Sequence, residues 1–415
     1  MTMITIEPNR LKGTVTVPPS KSMAHRAVIC AGLAKGQSVI RNIQLSDDII
    51  ATMEGMRAFG ATIEQTGNTL IINGCGLDTT RISQEIDCNE SGSTLRFFVP
   101  LATLFEGSTH FVGQGKLGQR PLETYRELFE HQGLRYEAGT SKQLDLTIQG
   151  QLKSGTFEMR GDISSQFITG MLLTLPLLDG DSKIEITTHL ESKGYIDLTL
   201  SVLSAFGITV KHDDGYKTFK IKGNQHYQAR DYTVEGDYSQ AAFWLSAQLL
   251  GNEIKVEGLD QDSLQGDREI VRILEQLGAN EEERIIDGSQ VPDIIPTVAL
   301  AAALSKGKTK LINLERLRIK ESDRLVATQK ELAAIGAQIK IVEDQLHIEG
   351  VKSLKGGAEV WSHKDHRMAM MLAVASTVCE EPIQLKDPEC VKKSYPDFWE
   401  VFKEVGGRTD EWSMG

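Results

Sequence analysis

A short stretch near the beginning of the chain combines residue types that bind anions. The prolines Pro18-Pro19 hold the backbone extended, and an apolar helical pattern follows over 23–34. Ser20 and Lys21 therefore lie where a helix exposes unpaired N–H groups, and Arg26 lies one turn further along. This combination predicts a pocket for a carboxylate or a phosphate. The alternative is an ordinary capped surface helix, in which Ser and Lys are common.

Comparable segments stand before other apolar or amphipathic patterns. Most of them place arginine or lysine beside serine, aspartate or proline. These segments are Asn89-Glu90-Ser91-Gly92-Ser93-Thr94-Leu95-Arg96, Arg120-Pro121, Ser164-Ser165-Gln166, Ser192-Lys193-Gly194-Tyr195, Val291-Pro292-Asp293, Lys320-Glu321-Ser322-Asp323-Arg324, His363-Lys364-Asp365-His366-Arg367 and Lys392-Lys393-Ser394. Because proline is favoured at the first helical position, Arg120-Pro121 predicts a helix that begins at Pro121 with Arg120 beside its end.

Glycines at regular spacing indicate that the elements carrying these segments are repeated. Predicted helices end at Gly60, Gly133, Gly207, Gly278, Gly336 and Gly406. The gaps between these glycines are 73, 74, 71, 58 and 70 residues, which indicates six copies of one unit. Each unit contains an apolar helix, an amphipathic helix and strands around them, so the pattern predicts an α/β fold.

The length of the chain predicts two domains. With 415 residues it is too long for one ordinary core, and two domains of about 200 residues, with three repeats each, are the natural division. We expect a first domain over 16–233. Residues 1–15 would join 234–415 in a second, discontinuous domain.

Composition and charge exclude several classes of protein. The longest near-continuous apolar run, 167–178, is shorter than the roughly 20 residues of a membrane span. A net charge of −12 argues against nucleic acid or an anionic membrane as a partner. Five cysteines without Cys-x-x-Cys spacing predict free thiols in a reducing cytoplasm. We therefore expect a cytoplasmic protein, and we expect it to be a monomer.

The repeats suggest how the cations come together. If equivalent helices pack side by side, their N-termini share one face of each domain, and each end adds roughly half a positive charge. Two such faces would enclose a cationic cleft for small polyanions in a protein that is acidic overall. The cations of this cleft would be Lys21, Arg120, Lys320, Arg324, Arg367 and Lys393. The alternative makes each of them a surface cap or an ion-pair partner, but cations recur at matching places in five of six repeats, and this favours the cleft.

Other motifs are weak. Gly113-Gln114-Gly115-Lys116-Leu117-Gly118 matches the dinucleotide fingerprint only formally, because Arg120-Pro121 follows at once, so we interpret it as a loop. His363 and His366 could form half of a metal site, but no second His or Cys pair accompanies them. We expect no metal and no organic cofactor.

Seven of the motifs, in this order and in both halves of the chain, closely resemble the 5-enolpyruvylshikimate-3-phosphate (EPSP) synthase family. They are Lys21-Ser22-x-x-x-Arg26, Glu90-Ser91-Gly92-Ser93-Thr94-Leu95-Arg96, Arg120-Pro121, Ser164-Ser165-Gln166, Lys320-Glu321-Ser322-Asp323-Arg324, Asp365-His366-Arg367-Met368-Ala369-Met370 and Lys393-Ser394-Tyr395-Pro396-Asp397, and Asp293 accompanies them. The resemblance implies a transferase of aromatic amino acid biosynthesis. It would move the enolpyruvyl group of phosphoenolpyruvate to the 5-hydroxyl of shikimate 3-phosphate and release phosphate. The implied fold is two inverse α/β-barrel-like domains, each of three βαβαββ repeats, that close on the substrates.

The resemblance also implies roles for individual residues. Those expected at shikimate 3-phosphate are Lys21, Ser22, Arg26, Ser164, Ser165, Gln166, Ser192, Tyr195, Asp293 and Lys320. Those expected at phosphoenolpyruvate are Lys21, Gly92, Arg120, Gln166, Arg324, Arg367 and Lys393. Arginines suit the carboxylate and the phosphate of phosphoenolpyruvate, and Gly92 allows a close approach of the backbone.

Addition and elimination through a tetrahedral intermediate require groups that move protons. We expect Asp293 to act as the base toward the 5-hydroxyl, and Glu321 to exchange a proton with the methylene carbon; Lys21 is a further candidate acid. Arg316 stands where many members of the family carry asparagine, and the role of this residue stays open.

Two other functions remain as alternatives. One is the enolpyruvyl transferase that acts on UDP-N-acetylglucosamine, which shares the fold. That enzyme usually has a reactive cysteine in the loop before the Arg-Pro segment, whereas 111–119 contains none here. The other is a non-catalytic anion-binding or RNA-end-processing relative.

Overall fold

The structure, a computed structural model, describes residues 2–76, 83–279, 281–410 and 413–414. Its helices follow the polar segments singled out in the sequence. They are α1 (Lys21–Leu33), α2 (Asp47–Ala58), α3 (Gly92–Ala102), α4 (Glu123–His131), α5 (Ser165–Thr174), α6 (Lys193–Ala205), α7 (Tyr238–Leu249), α8 (Ile270–Gly278), α9 (Ile295–Ala303), α10 (Arg324–Ala334), α11 (His366–Ser376) and α12 (Phe398–Glu404).

Strands alternate with these helices. They are β1 (Thr2–Glu7), β2 (Lys12–Thr16), β3 (Lys35–Arg41), β4 (Thr62–Thr66), β5 (Thr69–Cys75), β6 (Ser83–Asp87), β7 (Ser108–Gly113), β8 (Arg135–Ala138), β9 (Leu144–Gln149), β10 (Thr156–Met159), β11 (Ser182–Ile186), β12 (Val210–His212), β13 (Thr218–Ile221), β14 (Asp231–Thr233), β15 (Glu253–Glu257), β16 (Glu283–Asp287), β17 (Lys308–Ile312), β18 (Gln338–Val342), β19 (Gln345–Glu349), β20 (Glu359–Trp361), β21 (Ile383–Lys386), β22 (Arg408–Thr409) and β23 (Ser413–Met414). The predicted α/β class is confirmed, although none of the described sheets closes into a barrel.

The chain divides into two units. The continuous unit is Pro19–Glu235, and the discontinuous unit joins Met1–Pro18 to Gly236–Gly415. The sequence had suggested divisions at 16 and 233, so the observed borders lie slightly further along the chain at both crossings.

Three four-stranded sheets with one common topology build the continuous unit. Their strand orders are β14-β3-β5-β4, β6-β7-β9-β8 and β10-β11-β13-β12. In each sheet the first pair is parallel and the remaining pairs are antiparallel. β14 comes from the end of the unit and completes the sheet of the first repeat, with Asp231 opposite Val39.

The discontinuous unit repeats this topology less regularly. One sheet has the order β16-β17-β19-β18, and another has the order β20-β21-β1-β22, in which β23 also pairs with β1. β1 runs antiparallel to β21, so the first strand of the chain pairs with one near its end. The third sheet contains only β15 and β2, which are parallel.

That two-stranded sheet belongs to the fourth repeat, which is shorter than the others. In the fifth repeat α10 is followed by the hairpin β18–β19, whereas α8 is followed within the described residues directly by β16 of the next repeat. The absent hairpin explains why the gap between Gly278 and Gly336 is only 58 residues.

The apolar helix of each repeat lies in the interior. In the continuous unit α3 packs against α5, and α1 packs against α6; in the discontinuous unit α7, α9 and α11 pack against one another. Almost every residue of the apolar helices is buried, from Met23 to Leu33 in α1 and throughout α11, whereas α6 buries only one face. A helix that is apolar on all sides is stable only in such a position. No described helix is long and apolar enough to span a membrane.

The prediction that a helix begins at Pro121 is wrong. A short 3-10 turn covers Leu117–Gln119, and α4 begins only at Glu123. Leu122 has non-helical dihedral angles, and the carbonyl oxygen of Pro121 accepts a hydrogen bond from the Arg96 guanidinium at 3.1 Å. A tertiary contact therefore determines where this helix begins.

Candidate functional site

Serine caps the three inner helices of the continuous unit. The hydroxyls of Ser20, Ser91 and Ser164 accept hydrogen bonds from the first turns of α1, α3 and α5. The first turns of these helices, all of them within the described residues, contain no acidic residue. Neutral caps satisfy backbone donors without adding negative charge, so the positive ends of the helix dipoles remain available to an anion.

Side-chain contacts join the first turns of α1, α2 and α3, and further contacts reach α5 and α6. We call the residues of this unit that make these contacts the Lys21 cluster. Lys21 forms an ion pair with Asp48 of α2, with Nζ 2.7 Å from Oδ2. The Thr94 hydroxyl of α3 lies 3.4 Å from the Asp48 carbonyl oxygen. The Lys21 and Asp48 side chains are 15% and 12% exposed, so solvent can still reach this pair.

Arg26 anchors α1 to α5 and α6. Its guanidinium donates to the Thr199 hydroxyl at 2.8 Å, to the Ser22 carbonyl at 2.6 Å and, at longer range, to Thr169 and the Tyr195 carbonyl. Burial lowers the pKa of Arg26 to about 10, so this residue is still charged at neutral pH. The predicted neighbours Ser22 and Tyr195 are thus held to Arg26 through their main chains.

Gln166 joins α5 to α3. Its side-chain oxygen accepts from Arg96 at 2.7 Å, and its amide nitrogen donates to the Ser93 hydroxyl at 2.9 Å. The Arg96 guanidinium also lies over the Phe167 ring, 4.9 Å from its centroid. Arg96 therefore orients the amide of Gln166, a role for which it was not singled out.

Gly92 and Arg120 are direct neighbours. A Cβ atom at position 92 would collide with the Arg120 guanidinium. The absence of a side chain at Gly92 is therefore what allows this arginine to lie against the first turn of α3. Ser165 and Ser192 are buried in the same unit, and Ser192 takes a left-handed conformation with φ 54° just before α6.

In the discontinuous unit, Asp293 is the centre of a second group, the Asp293 cluster. Its carboxylate accepts from Lys320 at 3.1 Å, from Arg324 at 2.8 Å and from Arg367 at 3.2 Å. Burial alone would raise the pKa of Asp293, but Arg367, Lys320 and Arg324 hold this pKa well below its ordinary value. The carboxylate is consequently ionised at neutral pH.

Arg324 is the most buried cation of this cluster, with 1% of its side chain exposed. It donates to Asp365 at 2.7 and 3.2 Å, to Glu321 at 2.6 Å and to Asp293. Burial would lower the pKa of Arg324, but the three carboxylates raise it above its ordinary value. Arg324 is thus a permanent charge that holds Glu321 and Asp293 in place.

Burial also shifts the pKa of two neighbours. It lowers the pKa of Lys320 to about 8, against the attraction of Asp293 and with added repulsion from Arg316 and Arg324. Burial and the charge of Asp293 raise the pKa of Asp267 to about 6, although Arg367 opposes this. Lys320 and Asp267 therefore titrate near physiological pH, which is typical of functional sites.

A strained segment precedes α11. His363 and Lys364 both take left-handed conformations, with φ of 54° and 57°. The Lys364 carbonyl accepts a hydrogen bond from Lys393 at 3.0 Å, and His363 lies 2.8 Å from Glu331. Such backbone strain clusters at functional sites because it positions particular groups. His363 and His366 have different surroundings, and no group of metal-binding side chains occurs among the described residues.

The predicted residues divide between the two units, and in the discontinuous unit ion pairs join Asp293 to Lys320, Arg324 and Arg367 and join Arg324 to Glu321. Lys393 contacts the Lys364 carbonyl instead. The sequence assigned no site role to Asp48, Arg96 or Asp365, which contact predicted residues, or to Asp267, whose charge interacts with Asp293 and Arg367. Asp365 was visible as a helix cap in the Asp365-His366-Arg367 motif. The pairing of Asp48 with Lys21 joins two different helices, and no local pattern marks it.

Comparison with known proteins identifies the class to which this fold belongs. A solved EPSP synthase structure from Acinetobacter baumannii superposes with a TM-score of 0.82 over 100% of both chains at 24% identity, which shows a shared two-domain inverted α/β fold. The family model "EPSP synthase (3-phosphoshikimate 1-carboxyvinyltransferase)" matches residues 6–402.

Close relatives agree with this match. The 3-phosphoshikimate 1-carboxyvinyltransferase of Clostridium botulinum (strain Alaska E43 / Type E3) is 56% identical over 429 aligned residues, which cover 99% of each chain. That of Clostridioides difficile (strain 630) is 54% identical over 100% of each chain. The chain therefore belongs to the EPSP synthase family and is a transferase. The family resemblance read from the sequence is confirmed, and the two alternative functions are not supported.

Proposed function

We propose that this protein transfers the 1-carboxyvinyl group of phosphoenolpyruvate to the 5-hydroxyl of shikimate 3-phosphate. The observation that carries the proposal is the Asp293 cluster, in which one ionised carboxylate is shared by three cations. Such a cluster suits a reaction between two anions in which a hydroxyl must also lose a proton. The names of the family and of the close relatives point to the same reaction.

We assign shikimate 3-phosphate to residues of both clusters. Serine hydroxyls at the helix starts suit its phosphate, and Ser164, Ser165 and Gln166 stand in the first turn of α5 or at its cap. The other residues assigned to it are Lys21, Ser22, Arg26, Ser192, Tyr195, Asp293 and Lys320. Arg26 already has protein partners for much of its guanidinium, so its main contribution is positive charge and the orientation of Ser22 and Tyr195.

We assign phosphoenolpyruvate to the remaining cations. Its phosphate and carboxylate require several positive groups, and guanidinium groups can bind either of them through two hydrogen bonds. The residues assigned to it are Lys21, Gly92, Arg120, Gln166, Arg324, Arg367 and Lys393. Arg96 and Asp365 position Gln166 and Arg324 without being assigned to the substrate themselves.

The chemistry follows in two steps. Asp293 accepts the proton of the 5-hydroxyl while Glu321 or Lys21 protonates the methylene carbon, and the new C–O bond gives a tetrahedral intermediate. Loss of a proton from the resulting methyl group and departure of phosphate then restore the double bond. Bound anions would offset the cations that depress the pKa of Asp293, so substrate binding would strengthen this base.

Phosphate release measures this activity directly. Purified protein with phosphoenolpyruvate and shikimate 3-phosphate should release phosphate, and phosphoenolpyruvate with UDP-N-acetylglucosamine should not. Phosphate release with UDP-N-acetylglucosamine but not with shikimate 3-phosphate would instead show that the protein is the enolpyruvyl transferase that acts on UDP-N-acetylglucosamine. Absence of release with either acceptor would contradict the proposed function.

Replacement of Asp293 by asparagine tests whether Asp293 is the base that accepts the proton of the 5-hydroxyl. The amide keeps the shape of the side chain but cannot accept a proton, so we expect kcat to fall by about 10² to 10⁴. Asp231→Asn is a suitable control, because Asp231 also pairs with an arginine, Arg41, but at an exposed position. Unchanged kcat in Asp293→Asn would assign the base to another residue.

The loss of the Lys320 charge at alkaline pH predicts a change in the KM for shikimate 3-phosphate. Protonated Lys320 attracts an anionic substrate, and with a pKa of about 8 it loses that charge as the pH rises through this value. We expect the KM for shikimate 3-phosphate to rise above pH 8, and Lys320→Arg to abolish this rise because arginine remains charged. Steady-state kinetics between pH 6.5 and about 9.5 decide the matter. An identical alkaline rise in Lys320→Arg would contradict the assignment.

We also propose a cytoplasmic location. All five cysteines are free thiols, and burial raises the pKa of Cys379 and Cys390 to about 12. Free thiols are typical of proteins from reducing compartments.

A further inference from the structure

A series of buried hydrogen bonds joins α1, α2 and α3 in the continuous unit. The His25 Nδ1 atom lies 2.7 Å from the Thr52 hydroxyl, and the Thr52 hydroxyl lies 2.8 Å from that of Thr94. The Thr94 hydroxyl in turn lies 2.8 Å from the hydroxyl of Ser91, the residue that caps α3. None of the four residues is more than 1% exposed. We call these four residues the His25 network.

The donor of each hydrogen bond in the His25 network follows from its last member. Thr94 donates its hydroxyl proton to Ser91, and a hydroxyl has only one proton to donate. Toward Thr52 the Thr94 oxygen can therefore only accept, so Thr52 donates to Thr94. Thr52 consequently accepts from His25. This assignment places the proton of the neutral imidazole on Nδ1 and leaves Nε2 as an acceptor.

The surroundings of the imidazole agree with this tautomer. Burial lowers the pKa of His25 well below its ordinary value, and the charges of Lys21 and Arg26 lower it further, so the ring is neutral at neutral pH. Nε2 is buried and has no hydrogen-bond partner among the described residues. A buried acceptor without a donor is unfavourable, and an apolar side chain would avoid this cost. The group that distinguishes His25 from an apolar residue is thus the Nδ1–H that it donates to Thr52.

A second series of contacts runs beside the His25 network. Lys21 and His25 are four residues apart, so they share one face of α1. Asp48 and Thr52 have the same spacing on α2, and Lys21 pairs with Asp48 as His25 pairs with Thr52. The Asp48 carbonyl and the Thr52 hydroxyl both contact the Thr94 hydroxyl. Two neighbouring pairs of residues therefore connect α1 to the first turn of α3.

We propose that His25 is a positioning residue for phosphoenolpyruvate. Its network ends at Ser91, which leads directly into Gly92, and the Arg120 guanidinium lies against Gly92. The inference rests on the proposed function, in which Lys21, Gly92 and Arg120 bind phosphoenolpyruvate. The His25 network holds the start of α3 at a fixed position relative to Lys21. Because Gly92 and Arg120 are assigned to phosphoenolpyruvate alone, a displaced α3 should weaken the binding of this substrate more than that of shikimate 3-phosphate.

Two substitutions of His25 test whether the Nδ1–H donor is the group that matters. Asparagine carries its amide nitrogen close to the position of Nδ1, whereas glutamine carries it one bond further, close to the position of Nε2. His25→Asn should keep the KM for phosphoenolpyruvate within about threefold of the wild-type value, and His25→Gln should raise it about tenfold, which corresponds to one hydrogen bond. The KM for shikimate 3-phosphate should change less than about twofold in both variants.

Thr52→Val breaks the next link of the network. Valine keeps the shape of the side chain without its hydroxyl, so this variant should also raise the KM for phosphoenolpyruvate about tenfold. The double variant His25→Gln/Thr52→Val should resemble Thr52→Val, because both changes break the same series of hydrogen bonds. The matched control is Thr174→Val. Thr174 is equally buried, but its hydroxyl donates to the Gly170 carbonyl within α5 at 2.9 Å, so both KM values should stay unchanged.

The nitrogen NMR spectrum of the ring tests the network without any substrate. In protein labelled with ¹⁵N at histidine, the signals that His25→Asn removes should show Nδ1 protonated and Nε2 unprotonated at neutral pH. The opposite tautomer would overturn the proposal. So would equal increases of both KM values in His25→Gln, or a KM for phosphoenolpyruvate that Thr52→Val leaves unchanged. Phosphate release by the wild type tests the proposed function separately, so a failure of that function is distinguishable from a failure of the network.

Discussion

Lys21→Met should fold like the wild type and lose turnover by about 10³-fold. Lys21 begins α1 beside the neutral cap Ser20 and is the only predicted residue assigned to both substrates as well as to proton transfer. Methionine keeps most of the side-chain volume but removes the charge that would stabilise the transition state. The measurement is kcat from phosphate release, together with the thermal midpoint of unfolding.

Two further variants separate the possible roles of Lys21. Lys21→Arg keeps the positive charge but cannot readily give up a proton, so it should recover substrate binding more than kcat if Lys21 is an acid. Lys12→Met removes an exposed lysine that pairs with Glu253 at 3.0 Å, and it should change neither quantity. Turnover near the wild-type value in Lys21→Met would show that this helix start is not part of the active site.

Asp365→Asn should lower the free energy of unfolding by about 3 kcal/mol. Asp365 is fully buried, and its loss would leave the buried Arg324 with only Glu321 and Asp293 as partners. Breaking a buried ion pair typically costs about 3 to 5 kcal/mol, and the two remaining carboxylates place the effect at the lower end. Asparagine remains a good cap, so the loss would report the missing charge rather than the start of α11.

Asp323→Asn provides the matched control for this measurement. Asp323 also caps a helix, α10, and also pairs with an arginine, Arg318 at 3.4 Å, but both side chains are more than a third exposed. Surface pairs contribute about 0 to 1 kcal/mol, so this variant should unfold close to the wild-type urea concentration. Equal losses in both variants would show that burial of the Arg324–Asp365 pair does not determine its contribution.

Local patterns predicted much of the fold. Ser20, Ser91 and Ser164 were visible as caps before apolar runs, and capping is decided within one turn of helix. The glycines after the helices gave the repeat and its length. The start of α4 was mispredicted because the contact of Pro121 with Arg96 spans 25 residues and leaves no trace in the local pattern.

The sequence predicted the residue types of the site but not which cation contacts which carboxylate. The sequence separated cations and carboxylates into motifs, yet the sharing of Asp293 by Lys320, Arg324 and Arg367 depends on three different helix starts. Asp48 was not predicted as a partner of Lys21, because 27 residues separate the two within the first repeat. The 58-residue gap was visible in the sequence, but only the sheet topology shows that a hairpin is missing there.

The pairing of β1 with β21 has a consequence for biosynthesis. Thr2–Glu7 is translated long before its partner strand Ile383–Lys386. The continuous unit has all of its strands once Glu235 has been made, so it can fold while translation continues. During that time β1 has no partner strand, and chaperones that bind nascent chains should contact β1 until β21 has been translated.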